Sequence, residues 1–162
     1  MTAESLLITY VQIGVAISGF SGIVVSLGNR GRGEWSHRDR QLLYALLGMS
    51  GGCTLLSALP LVLATTGLAE RTVWSASSAC SVILQLVLMV VRARQVGRDA
   101  DTLARERWVL AGAYVGGVVC VAAQLVNSVW LGVAWPHLVT ITWYLAVSFI
   151  VFVRLVQPEA RP

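Results

Sequence analysis

Lysine is absent from all 162 residues, which removes a retinal-type Schiff base from consideration, because that linkage needs a lysine amine. Charge of either sign is missing from four long stretches, Ser5–Asn29, Gln41–Ala69, Thr72–Val91 and Trp108–Val153. A helix needs roughly 20 apolar residues to cross a bilayer, so three of these stretches are long enough for one pass and the last for two. Without an intramembrane carboxylate, lysine or arginine, the spans offer neither a proton relay nor a fixed-charge filter. Cysteine is scarce as well. Cys53, Cys80 and Cys120 are isolated in separate spans, with no CxxC pair for thiol exchange and no Cys/His cluster of metal spacing. The two histidines, His37 and His137, fall on opposite sides of the membrane, so they do not form a pair of axial haem ligands, and each reads as an interface residue. No enzymatic activity, metal or cofactor is expected.

What is present defines an all-α integral membrane bundle. The fourth stretch divides at Gly132-Val133-Ala134-Trp135-Pro136, where glycine suits a helix C-cap and proline the start of the next helix. One domain over 1–162 therefore holds five transmembrane helices, at about 5–27, 37–66, 69–94, 106–131 and 136–156. Ser36 with Asp39 resembles a capping box for the second helix, and Gly67 suits its end. Asp99 and Asp101 suit the cap of a short helix or of an extension into the fourth span. The 92–107 segment is polar enough to predict a water-exposed element of its own.

Orientation follows from the arginines, since basic loop residues stay in the cytoplasm. Arg30, Arg32, Arg38 and Arg40 lie in the first connection, Arg92, Arg94, Arg98, Arg105 and Arg107 in the third, and Arg154 and Arg161 in the tail. Only Arg71 lies on the other side. The N-terminus is then expected outside and the C-terminus in the cytoplasm, with the first span retained because no basic residue precedes it. Tryptophans fit this frame: Trp35 and Trp108 are expected at the cytoplasmic interface, and Trp74, Trp130 and Trp135 at the outer one. Trp143 is too deep for either belt and is expected to pack within the bundle. Topology accounts for the net charge of +4, so nucleic acid is not an expected partner. Attraction of the basic loops to anionic headgroups is the plainer consequence.

Gly19-Phe20-Ser21-Gly22 looks like the G-x-S-G of rhomboid intramembrane proteases. Ser21 and His137 fall toward opposite faces, however, whereas a nucleophile and its base must be within hydrogen-bond reach. Ser21 therefore reads as packing. Small residues form stripes, Gly112, Gly116, Cys120, Gln124, Ser128 and Gly132 on the fourth helix, and Gly14, Ser18, Gly22 and Ser26 on the first. Such faces let helices approach closely in lipid, within or between protomers. Gln12, Ser77, Ser81, Gln85, Gln124, Asn127 and Thr140 form a second set, either interhelical hydrogen-bonding glue or a polar lining. A faint repeat relates 30–91 to 92–154 through Gly51-Gly52 and Gly116-Gly117.

The segment from Val15 through Val25, followed by Arg30, Arg32, Trp35 and Asp39-Arg40, resembles the opening of small multi-pass bacterial membrane proteins of unknown function. The resemblance implies a bacterial inner-membrane location and carries no activity. Two functions remain as expectations. One is a homo-oligomer that encloses a passive channel or transport pathway. The other is a scaffold, partner subunit or membrane-acting effector that docks a cytoplasmic protein through its Arg-rich loops.

Overall fold

The computed structural model describes residues 2–32, 37–96 and 100–156, with side chains described throughout except at 24–32, 37–38, 96 and 100–107. Five helices are long and apolar enough to cross a membrane, which supports a multi-pass membrane protein. They are α1 (Ala3–Arg32), α2 (His37–Ala64), α3 (Glu70–Val96), α4 (Ala100–Val126, continued by a π-helical turn over Asn127–Leu131) and α5 (Ala134–Val156). Successive helices pack antiparallel, as pairs such as Ser18 with Ser50, Arg92 with Gln41 and Tyr114 with Met89 show. The neighbours α1–α2, α2–α3, α3–α4, α4–α5 and α1–α5 are in contact, and α2 also packs on α5, which places those two helices at the centre. Leu7, Cys53, Leu56, Trp74, Ile141 and Tyr144 form the apolar core.

The helix ends depart from expectation where polar residues continue a helix beyond its apolar run. α1 runs on to Arg32, α3 to Val96, and α4 already starts at Ala100. The polar 92–107 segment is thus divided between two helix ends and forms no separate element among the described residues. Polar composition alone does not break a helix, because Arg and Gln are good helix formers. Trp35, Ser36, Arg98, Asp99 and Arg161 lie outside the described residues, as do the side chains of Arg30, Arg32, His37, Arg38, Asp101, Arg105 and Arg107.

Both glycines expected to end helices do so with a left-handed backbone. Gly67 has φ +75° after α2, and Gly132 has φ +61° between α4 and α5. Gly132 has a second requirement. A Cβ there would meet the Arg71 side chain and lie 3.0 Å from the Arg71 carbonyl oxygen. Arg71 in turn donates from Nη2 to the Trp130 carbonyl at 2.9 Å, closing α3 onto the π turn. Gly132→Ala therefore combines left-handed strain with displacement of Arg71, and an expected loss of about 1–3 kcal/mol follows. Gly67→Ala, whose Cβ meets nothing within 4 Å, bears the strain alone and serves as the comparison in a detergent melting assay.

Candidate functional site

Buried polar residues occur on every helix, Ser21 on α1 and Gln41, Ser50 and Ser57 on α2 among them, and most of them lie on α3, α4 with its π turn, and α5. On α3 the buried positions are Val73, Trp74, Ser77, Ser78, Ser81, Val82 and Gln85, and on α5 they include His137, Thr140, Ile141, Tyr144 and Ser148. Spacings of three and four keep each set on one helix face. α4 adds Gln124, with Asn127 from the π turn. The structure thus gathers Ser77, Ser81, Gln124, Asn127 and Thr140 where three helices meet, in the half of the bundle that holds the α4–α5 turn. Gln12 is exposed on α1 and does not join them. Gln85 lies on the same α3 stripe, farther toward the basic end.

Asn127 closes the turn between α4 and α5. Its Nδ2 donates to the Val133 carbonyl at 2.9 Å and to Ser78 Oγ at 2.7 Å, while its Oδ1 accepts from the Val133 amide at 3.0 Å. The carboxamide pairs with the backbone as a second peptide group would, which satisfies groups that the end of a helix leaves bare. Gln124 Nε2 and Thr140 Oγ1 both donate to the Pro136 carbonyl, at 3.2 and 3.1 Å.

His137 faces inward and is fully buried within the bundle. The cause lies on α2. Pro60 sits inside that helix and has no N–H, so the Leu56 carbonyl one turn earlier loses its helical donor. His137 Nε2 supplies the replacement at 3.0 Å. A carbonyl only accepts, so the proton is on Nε2, and in the neutral ring Nδ1 is then the acceptor. Ser81 Oγ faces Nδ1 at 3.3 Å and is also 2.9 Å from the Ser77 carbonyl. Trp74 packs its ring 6.0 Å from that of His137 and donates from Nε1 to Glu70. Trp74 is buried against its neighbours because it shares the serine stripe of α3. Trp130, Trp135 and Trp108 are exposed, in keeping with surface positions. Proline in mid-helix was the available signal for His137, since it implies an orphan carbonyl that another helix must satisfy.

The small-residue stripes are close-packed only in part. A Cβ at Gly116 would run into the Trp143 ring, and one at Gly14 into Thr54, while Ser18 bonds Ser50 at 2.8 Å and Cys120 is buried. Gly22 and Gly112 are exposed, and a Cβ at either would meet nothing within 4 Å. Each four-residue step advances about 40° around the helix, so the stripe turns out of the interface at its ends. The glycine pairs separated by 65 residues find unlike surroundings: a Cβ at Gly51 meets nothing within 4 Å whereas one at Gly116 would run into Trp143, and Gly52 faces Tyr144 whereas Gly117 faces Gln85 and Met89. Ser21 Oγ donates to the Ser18 carbonyl at 2.6 Å, a packing arrangement.

A second feature lies at the other end, where Arg92 and Arg154 stand. A cleft of about 670 Å³ separates α2, α3, α4 and α5 there. Its walls are largely apolar, with Leu42, Leu88, Val109 and Ile150 among them, and Trp143 and Gln85 also line it. Among the described residues no group of three or more His, Cys, Asp or Glu could hold a metal. Comparison with known proteins provides no relative, since no family model, curated protein or solved structure matches the chain.

Proposed function

We propose that the protein works by contact, as a membrane scaffold or partner subunit, and that its protomer does not conduct. The observation that carries this reading is the state of the polar side chains. Ser81, Gln124, Asn127, His137 and Thr140 are each at most 1% exposed and bond to carbonyls or to one another. Gln124, Asn127 and His137 bond across to another helix, Ser81 and Thr140 back to their own, and groups spent in this way do not line a water-filled path. In the proposed orientation the N-terminus is outside and the C-terminus in the cytoplasm of a bacterial cell, with the protein in the inner membrane. Arginine excess in the first and third connections and the tail supports that frame. The same loops supply a basic surface for a soluble partner or anionic headgroups.

A homo-oligomer that encloses a passive pathway between protomers is the second reading. It is favoured by Gly19 and Gly112, exposed positions where a Cβ would meet nothing within 4 Å and a neighbouring helix could approach. Liposome reconstitution separates the two readings. The contact reading predicts no ion or small-solute flux above empty liposomes at several voltages and pH values. Flux that falls in Gln124→Leu while assembly is preserved would replace it with the pathway reading. Orientation is tested by a cysteine at position 33 in a background without the native cysteines: no labelling from outside intact cells is expected, and labelling would invert the topology.

A further inference from the structure

The carboxamides of Gln41, Gln85, Gln124 and Asn127 are buried in the bundle, whereas that of Gln12 is exposed on α1. Its neighbours Thr9 and Tyr10 bond to the Ser5 carbonyl and the Thr142 hydroxyl, and Gln12 itself has no hydrogen-bond partner among the described residues. Its depth makes that position costly. The apolar span of α1 covers 21 residues, Ala3–Ile23, and places Gln12 about 14–16 Å from either end at 1.5 Å per residue. Packing gives the same depth. Cys53 Sγ donates to the Tyr10 carbonyl at 3.7 Å and Ser18 Oγ meets Ser50 Oγ at 2.8 Å, so residues on both sides of Gln12 touch the middle of the α2 span, Asp39–Ala64. A glutamine side chain is too short to reach the headgroups from there, and an amide left in hydrocarbon without a partner is unfavourable.

The rest of that face shows what meets it. Ile8, Gln12, Val15, Gly19 and Gly22 are all exposed and follow one another at alternating steps of four and three, the spacing of the seam between two parallel helices. Gly14 and Ser18, which pack on α2, lie on the other side of the helix, so the seam points away from the bundle. A Cβ at Gly19 would meet nothing within 4 Å, which leaves room for a second backbone to come close. We propose that the protein forms a two-fold symmetric pair through this seam of α1, with the Gln12 side chains of the two copies hydrogen-bonded to each other at mid-bilayer. A carboxamide holds both a donor and an acceptor, so two of them related by an axis along the membrane normal satisfy each other. Depth selects a second copy as the occupant. It enters the membrane in the same orientation, so its own Gln12 arrives at the same level, whereas lipid chains cover Ile8 and Val15 but bring no group to the amide. This inference goes beyond the contact reading and is independent of it, since pairing of protomers and flux through them are measured separately.

The full chain, labelled at its C-terminus with donor or acceptor fluorophore, is reconstituted in liposomes over a range of lipid-to-protein ratios. Wild type is expected to show energy transfer between copies that rises linearly with the acceptor fraction, as a pair requires. Gln12→Leu should raise the dissociation constant about tenfold, the size of an interhelical amide hydrogen bond in lipid, and Gln12→Asn should retain most of the affinity. Because Gln12 faces outward, Gln12→Leu is expected to melt in detergent at the wild-type temperature, which separates lost pairing from misfolding. Oxidative cross-linking reads the position of the seam in a background carrying Cys53→Ala, Cys80→Ala and Cys120→Ala. Val15→Cys should form a disulfide between copies, and Ile83→Cys, at a residue 64% exposed on α3, should not. A wild type that stays monomeric at the highest protein density, pairing unchanged in Gln12→Leu, or cross-linking at position 83 without any at position 15 would overturn the proposal. So would a curved dependence on acceptor fraction, which marks an assembly larger than two.

Discussion

Replacing His137 with leucine should destabilise the bundle by about 1–3 kcal/mol, the usual effect of leaving a buried acceptor unpaired. Much of that loss should return when Pro60→Ala is added. The reason is local. His137 donates to the Leu56 carbonyl, which Pro60 has deprived of its helical partner. An alanine at position 60 restores a backbone N–H at the right place in α2, so the carbonyl no longer depends on α5. On the wild-type background Pro60→Ala should be close to neutral, because the carbonyl there already has a donor. A double-mutant cycle followed by detergent-induced unfolding measures the coupling, expected at about 1 kcal/mol or more for groups in direct contact. Strict additivity of the two substitutions would show that His137 is held for some other reason.

Gly116→Leu is expected to lower the apparent melting temperature by several degrees, while Val119→Leu leaves it unchanged. Even a single carbon at Gly116 would run into the Trp143 ring, and leucine adds three more. Overpacking of this kind costs about 1–3 kcal/mol. Val119 is 62% exposed on the outer face of α4, where an extra methylene faces lipid. Trp143 lines the cleft, so that volume is open to a ring displaced by Gly116→Leu. Equal melting of the two variants would remove the packing argument.

The five spans were legible because lipid imposes a long apolar run on every helix, and the α4–α5 turn was legible because Gly132 and Pro136 mark it. The serine stripe of α3 was equally plain, and its members Ser77, Ser81 and Gln85 are indeed buried. Which way Trp74 and His137 face was not legible from residue type. Both lie on the buried stripe of their helix, and near a span end register decides whether a ring packs inward or outward. The partner of His137 is a carbonyl freed by a proline on another helix, 77 positions away in the chain by subtraction of the two residue numbers, a relation no local pattern encodes. The cleft was not visible at all. It results from how four helices diverge at the basic end, and its lining of leucine, valine and isoleucine is what any membrane span presents.

Solvent access to Ser81 tests the closed, glue-like character of the polar network most directly. Ser81→Cys and Gln95→Cys are made in a background carrying Cys53→Ala, Cys80→Ala and Cys120→Ala, and each is exposed to a small charged methanethiosulfonate in proteoliposomes. Ser81 is 1% exposed and hydrogen-bonded to the Ser77 carbonyl beside His137, whereas Gln95 lines the cleft at the basic end. A thiol reacts as the thiolate and only where reagent and water reach it. Rapid modification at position 95 with none at position 81 is the expected result, and modification of position 81 at a comparable rate would contradict it by showing that water runs through the network.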